Sequence, residues 1–198
     1  PLYVTYSLYR RRLEEYVKAE CIDMENVSVQ EEQVVWDDII ADNMYVICNT
    51  PMAVGITRRT LFGFRNVDRK ANIKNEQLIT RASSDQEALV KDLKSVGFWK
   101  GNTSKQMIQF NAVVGNPPYQ GSARVQLYPT FYKLSQKLGN IATLIFPTGW
   151  QKPCAPTAKG LFKMNNEETK ADNQIVFIDN KHDVFPGISG ANEINVIL

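Results

Sequence analysis

Apolar residues recur at Tyr6, Tyr9, Leu13, Tyr16 and Val17, a spacing that puts them on one helix face with Arg10 to Arg12 and Glu14-Glu15 opposite. Ser28 followed by Glu31 is a capping-box pattern, and it predicts a second helix through Val34, Val35, Ile39 and Ile40. Asn43 to Cys48 reads as a short buried strand. Thr50-Pro51 then pairs a capping residue with proline at the first helical position, and Gly63 is placed to end that helix. The polar stretch from Asn66 to Thr80 holds a strand around Asn72 to Leu78. Ser84 and Glu87 repeat the capping pattern for a helix that turns Leu89, Leu93 and Val96 to one side and stops before Gly97.

Phe110 to Val114 is the next strand. Phe131, Leu134 and Leu138 mark a helix ending at Gly139, and Ile141 to Phe146 form a strand closed by Pro147. Gln174 to Asp179 and Glu193 to Leu198 are the last two strands. Strands alternating with helices predict an α/β fold with a mostly parallel sheet. Between the final two strands lie about a dozen residues with Pro186, Gly187 and Gly190 among them, and no helix fits there. A closing antiparallel hairpin is expected instead.

Composition narrows the class. A chain of 198 residues with 43% hydrophobic and 22% charged residues suits one soluble domain. No apolar run reaches the ~20 residues of a membrane span, so no membrane partner is expected. Three scattered cysteines and a single histidine, His182, leave no metal-ligand spacing and no disulfide framework, which points to a cytoplasmic setting without metal. The net charge is only +2. A protein that grips duplex DNA by itself carries a larger basic surplus.

The sharpest signal follows the Phe110 strand: Gly115-Asn116-Pro117-Pro118-Tyr119-Gln120. In open α/β sheets, ligands bind beyond the carboxyl ends of strands. An exocyclic amino group on a base is a poor nucleophile because its lone pair is delocalised into the ring. A site can help by accepting both amino hydrogens, which favours a pyramidal nitrogen. The Asn116 side-chain carbonyl and the Pro117 backbone carbonyl are suited to that task. Pro117 and Pro118 stiffen the loop, and Asn116, preceding a proline, is held out of the helical region. Tyr119 supplies a ring on which an extruded base can stack.

These residues resemble the catalytic motif of adenine-N6 DNA methyltransferases of restriction–modification systems; cytosine-N4 enzymes more often carry serine at the position of Asn116. Leu144-Ile145-Phe146-Pro147-Thr148-Gly149-Trp150 is similar to the strand and loop that follow the motif in that family, and Val184-Phe185-Pro186 to its later loop. The resemblance implies a Rossmann-like methyltransferase sandwich and S-adenosylmethionine as cofactor. It also implies double-stranded DNA as partner, with the adenine flipped out. Asn116, Pro117, Pro118 and Tyr119 become catalytic residues, and Phe185 a second stacking ring for the base, unless it plugs the core beneath its loop. Enzymes methylating protein glutamine or RNA guanine share the Asn-Pro-Pro-Tyr motif and stay open as alternatives, as does a non-catalytic binding module that keeps the fold.

The sequence departs from the family at the cofactor side. The glycine-rich turn that follows the first strand of the family is not found, so the fold is expected to be incomplete at its N-terminus. Residues 1–198 then form a partial catalytic domain without a target-recognition domain. The family's acid at the second strand end is replaced by Cys48, next to Asn49, and the acid of the third falls near neutral Gln77. Asn49 and Asn116 are the cofactor contacts that remain, and weak cofactor binding is expected. Asp42 and Asp68 lie outside the expected strand ends. Arg10 to Arg12 read as a solvated helix face, His182 as a loop residue, and Trp99 as core; Trp150 could line the cleft or pack.

Overall fold

A computed structural model describes residues 1–65, 71–121, 125–147, 178–181 and 194–197. They fall into two compact units, Pro1–Leu78 with Trp99–Gly101, and Ile79–Phe98 with the residues from Asn102 onward.

In the first unit, α1 (Leu2–Glu20) packs on α2 (Val29–Asp42). Leu13 is buried at the α1 face, and the Tyr9 ring meets Trp36 edge-on with centroids 5.6 Å apart. The outer face pairs Arg10 with Glu14, and Arg11 and Arg12 with Glu15, as its charge pattern predicts. Ser28 caps α2 as expected: its Oγ accepts from the Glu31 amide at 3.2 Å, and Glu31 accepts from the Ser28 amide at 2.8 Å.

β1 (Tyr45–Cys48) pairs parallel with β2 (Asn72–Asn75), and α3 (Pro51–Phe62) connects them in the manner of a βαβ unit. Thr50 caps α3, its Oγ1 accepting from the Ala53 amide at 3.1 Å, and Gly63 follows its last residue at φ 64°. Ile40, Cys48, Leu61, Phe62 and Ile73 form the core here. Asn72 is buried with them, and its amide donates to the carbonyls of Ala41 and Met44, which ties β2 to the end of α2. Such a buried amide is tolerated because its donors are satisfied. Trp99 is core, as predicted, with its ring edge-on to Tyr45.

The second unit carries a four-stranded sheet in the order β3-β4-β6-β5, where β3 is Phe110–Gly115, β4 Gly139–Pro147, β5 Ile178–Lys181 and β6 Ile194–Ile197. β3 and β4 run parallel, with Ala112 opposite Ile141 and Gly115 opposite Leu144. β6 is antiparallel to both of its neighbours, so the last two strands do pair as an antiparallel hairpin. The whole is mixed α/β with short parallel pairs, compatible with a methyltransferase-like fold. Helix α7 (Tyr128–Leu138) crosses from β3 to β4 and buries Tyr128, Phe131, Tyr132, Leu134 and Leu138. It passes into β4 at Gly139, where a Cβ would lie 2.9 Å from the stiff Val113 Cγ2, so a larger residue would force the valine or its strand to shift.

Three local expectations are corrected. A helix, α4 (Leu78–Ser84), occupies residues read as strand and loop, and Ser84 is its last residue rather than a cap. Asp85 caps α5 (Gln86–Leu93) instead, its carboxylate accepting from the Ala88 amide at 3.0 Å. Gly97 does not follow a helix but sits inside α6 (Val96–Lys100), where a Cβ would meet the carbonyls of Asn102 and Ser104 at 2.7 and 2.8 Å.

Candidate active site

Strand alternation sets up the motif loop. Val113 and Gly115 share one face of β3, where the position of a Gly115 Cβ is 3.5 Å from Leu144 Cδ2, while Ala112 and Val114 are exposed on the other. Pairing stops at Gly115. The two residues after Asn116 are prolines and have no amide to continue a ladder. Asn116 therefore leaves the carboxyl end of β3 as an exposed residue, and its side chain has no hydrogen-bond partner among the described residues. Pro117, next in the chain, is buried, and Pro118 is half-buried.

Tyr119 is half-buried as a residue, with its hydroxyl fully enclosed and no hydrogen-bond partner for it among the described residues. Burial pushes its phenol above the ordinary tyrosine range. The backbone turns back immediately after it. Gln120 pairs antiparallel with Gln126, and the Gly121 amide donates to the Val125 carbonyl at 2.8 Å. The Tyr119 carbonyl then accepts from the Leu127 amide at 3.0 Å, one residue before α7 begins.

At the carboxyl end of β1, Cys48 turns into the core, with its sulfur 3.5 Å from Thr57 Oγ1, and Asn49 is exposed. Gln77 is exposed beyond β2. Sequence reading passed over Glu76, one residue earlier. Its amide donates to the Cys48 carbonyl at 3.0 Å, so a half-buried carboxylate follows the same strand ends as Asn49. The parallel pairing of Cys48 with Asn75 is the signal that would have found it. Asp42 is exposed at the end of α2.

Phe185, Trp150, His182 and Asp68 lie outside the described residues. Among the described residues no group of three or more His, Cys, Asp or Glu side chains could hold a metal ion, and no helix is long and apolar enough to cross a membrane.

The comparison with protein families agrees with the motif. The family model of the Eco57I restriction-modification methylases matches residues 42–185, a span that runs from the end of α2 through the motif loop. The chain belongs to the Eco57I restriction-modification methylase family. That makes it a member of a methyltransferase family of restriction–modification systems. No individual curated protein matches the chain significantly.

Proposed function

We propose that the chain transfers a methyl group from S-adenosylmethionine to the N6 amino group of an adenine flipped out of double-stranded DNA. The observation that carries this reading is the exposed Asn116 at the carboxyl end of β3, whose side chain has no hydrogen-bond partner among the described residues and which is followed by the buried Pro117. In the proposed site, Asn116 Oδ1 and the Pro117 carbonyl accept the two amino hydrogens. This leaves the nitrogen lone pair directed away from both. Neither group is a base, so the proton released as the N–C bond forms passes to solvent. Tyr119 offers its ring to the adenine face, and Phe185 is assigned the opposite face.

S-adenosylmethionine, when bound, supplies an electrophilic methyl carried on a sulfonium. The residues suited to hold it are Asn49 and Glu76, whose amide and carboxylate oxygens can accept from ribose hydroxyls. Cys48, turned toward Thr57, cannot take the part of the family's acid. That inward turn also favours a second reading, a binding module that keeps the fold without holding the cofactor.

Incubation with duplex DNA and methyl-labelled cofactor, followed by nucleoside analysis, tests the first reading. N6-methyladenine is expected. Label found only in protein glutamine or RNA guanine would overturn the assignment to DNA. Calorimetry that detects no cofactor binding at millimolar concentration would favour the second reading.

A further inference from the structure

Tyr119 carries a stacking role in the proposed reaction, and few of the described groups next to it in the chain can hold it. Its two proline neighbours lack amide donors, and its hydroxyl has no partner among the described residues. Among the described residues, the backbone hydrogen bond to its carbonyl comes from Leu127, eight positions later. Leu127 is itself held firmly. It is buried, and its carbonyl accepts from the amides of Thr130 and Phe131 as α7 begins. The first turn of α7 is fastened in turn to α5, because Gln86 Nε2 donates to the Thr130 carbonyl at 3.1 Å.

The Leu127 side chain makes a second connection. It packs against Gly121, where an added Cβ would lie 3.3 Å from Leu127 Cδ1, 3.4 Å from Cγ and 3.5 Å from Cδ2. Gly121 is also held by its own bond to the Val125 carbonyl. Backbone and side chain of Leu127 thus clasp both ends of the segment that leaves Tyr119.

We propose that Leu127 and Gly121 are positioning residues of the active site, transmitting the rigidity of α7 to Tyr119 and so fixing the ring in the orientation in which it stacks on the target adenine. The inference rests on the reading of Tyr119 as the stacking residue. Neither residue touches substrate. A fixed ring loses little conformational freedom when the base arrives, which is the general advantage of a preorganised site. Gly121→Ala is tolerated, since the leucine end can move by a few tenths of an ångström; the extra methyls of Gly121→Val have no such room.

The test uses the full chain with ring-labelled tyrosine and a single-stranded oligonucleotide bearing 2-aminopurine at the target position. In the wild-type chain, the Tyr119 ring resonance titrates above the ordinary ~10 and is motionally restricted. Leu127→Ala and Gly121→Val should bring that titration down toward the ordinary value and weaken the oligonucleotide by about tenfold, within the range of lost base stacking. Leu127→Met, which keeps the volume, should restore both. Should Gly121→Val fail to fold, Leu127→Ala set against Leu127→Met supplies the comparison by itself, with the tolerated Gly121→Ala as the control expected to behave as the wild type. Folded variants in which Tyr119 titrates and moves as in the wild type would overturn the proposal. The ring readout needs no substrate. A wild-type chain that ignores the oligonucleotide but shows the variant-dependent release of Tyr119 therefore refutes the stacking role while leaving the clasp standing.

Discussion

The thiol of Cys48 lies 3.5 Å from the hydroxyl of Thr57, so the last residue of β1 faces helix α3 and the core cluster rather than the carboxyl edge of its sheet. The consequence is that β1 itself offers the neutral Asn49 as its first exposed group, beside the half-buried Glu76 that follows β2. A carboxylate accepts hydroxyl hydrogens roughly twice as strongly as an amide. Asn49→Asp should therefore raise the affinity for S-adenosylmethionine by about tenfold, as read by titration calorimetry. Cys48→Asp should not. A charge placed beside Leu61 and Phe62 would instead destabilise the fold by more than about 3 kcal/mol, visible as a lowered melting temperature. Improved cofactor binding by Cys48→Asp would show that this strand end faces the cofactor after all.

The start of α2 carries an acid-sensitive contribution to stability. Hydrogen bonds from Ser28 Oγ, Tyr16 Oη and the Ser28 amide hold the Glu31 carboxyl down at about 2 against an ordinary 4.5. The folded-state value is the lower one, so the charged form is favoured by folding. Its contribution is fully present above pH ~4.5 and is lost as the pH falls toward 2. Glu31→Gln should flatten the loss of stability over that window, measured by denaturant unfolding at fixed pH values. An unchanged pH profile would mean the capping box does not survive in solution.

The legible parts of this fold were those with local causes. Ser28 with Glu31 and Thr50 with Pro51 are capping arrangements complete within four residues, and each appears where its pattern lies. The motif loop was legible for the same reason, since Pro117 and Pro118 end β3 by their own covalent structure. Glu76 was missed because its setting depends on a partner distant in sequence. Glu76 matters through its bond to Cys48, 28 positions away in the order of the chain, and that neighbourhood exists only once β1 and β2 are paired. The α5 cap was misread because Ser84 and Asp85 are adjacent capping residues, and α4 had already taken the serine as its last residue. Gly97 looked like a helix stop, whereas the crowding of the Asn102 and Ser104 carbonyls gives it another cause.

That difference between glycines has a measurable sign. Gly55 lies within α3 with no atom within 4 Å of a built Cβ, so Gly55→Ala should stabilise by about 0.5–1 kcal/mol through reduced unfolded-state freedom. Gly97 also lies in a helix, yet its Cβ would press on two backbone carbonyls that have no flexible end to move. Gly97→Ala should destabilise by about 1–3 kcal/mol despite alanine's better helix propensity. Denaturant midpoints decide it. The same direction of change for both variants would remove the crowding explanation.

Asn116 and Tyr119 stand three residues apart and are assigned different parts of one reaction, so their variants should fail differently. Asn116 is exposed and has no hydrogen-bond partner among the described residues, so Asn116→Ala should leave the melting temperature unchanged. Turnover should fall by a hundredfold or more, as expected when a positioned acceptor acts mainly on the transition state, an effect of about 3 kcal/mol. Cofactor affinity should hold. Tyr119→Phe deletes a hydroxyl that is enclosed without a partner among the described residues, so it should cost no stability and keep the stacking face. Tyr119→Ala removes that face as well; target-base binding should weaken by the ~1–3 kcal/mol of a lost stacking contact, while the chemistry at saturating DNA is less affected. Steady-state methylation and 2-aminopurine binding measured on the three variants separate these effects. If Asn116→Ala instead weakened base binding and kept its turnover, the amide would be a substrate contact rather than the group that prepares the amino nitrogen for methylation.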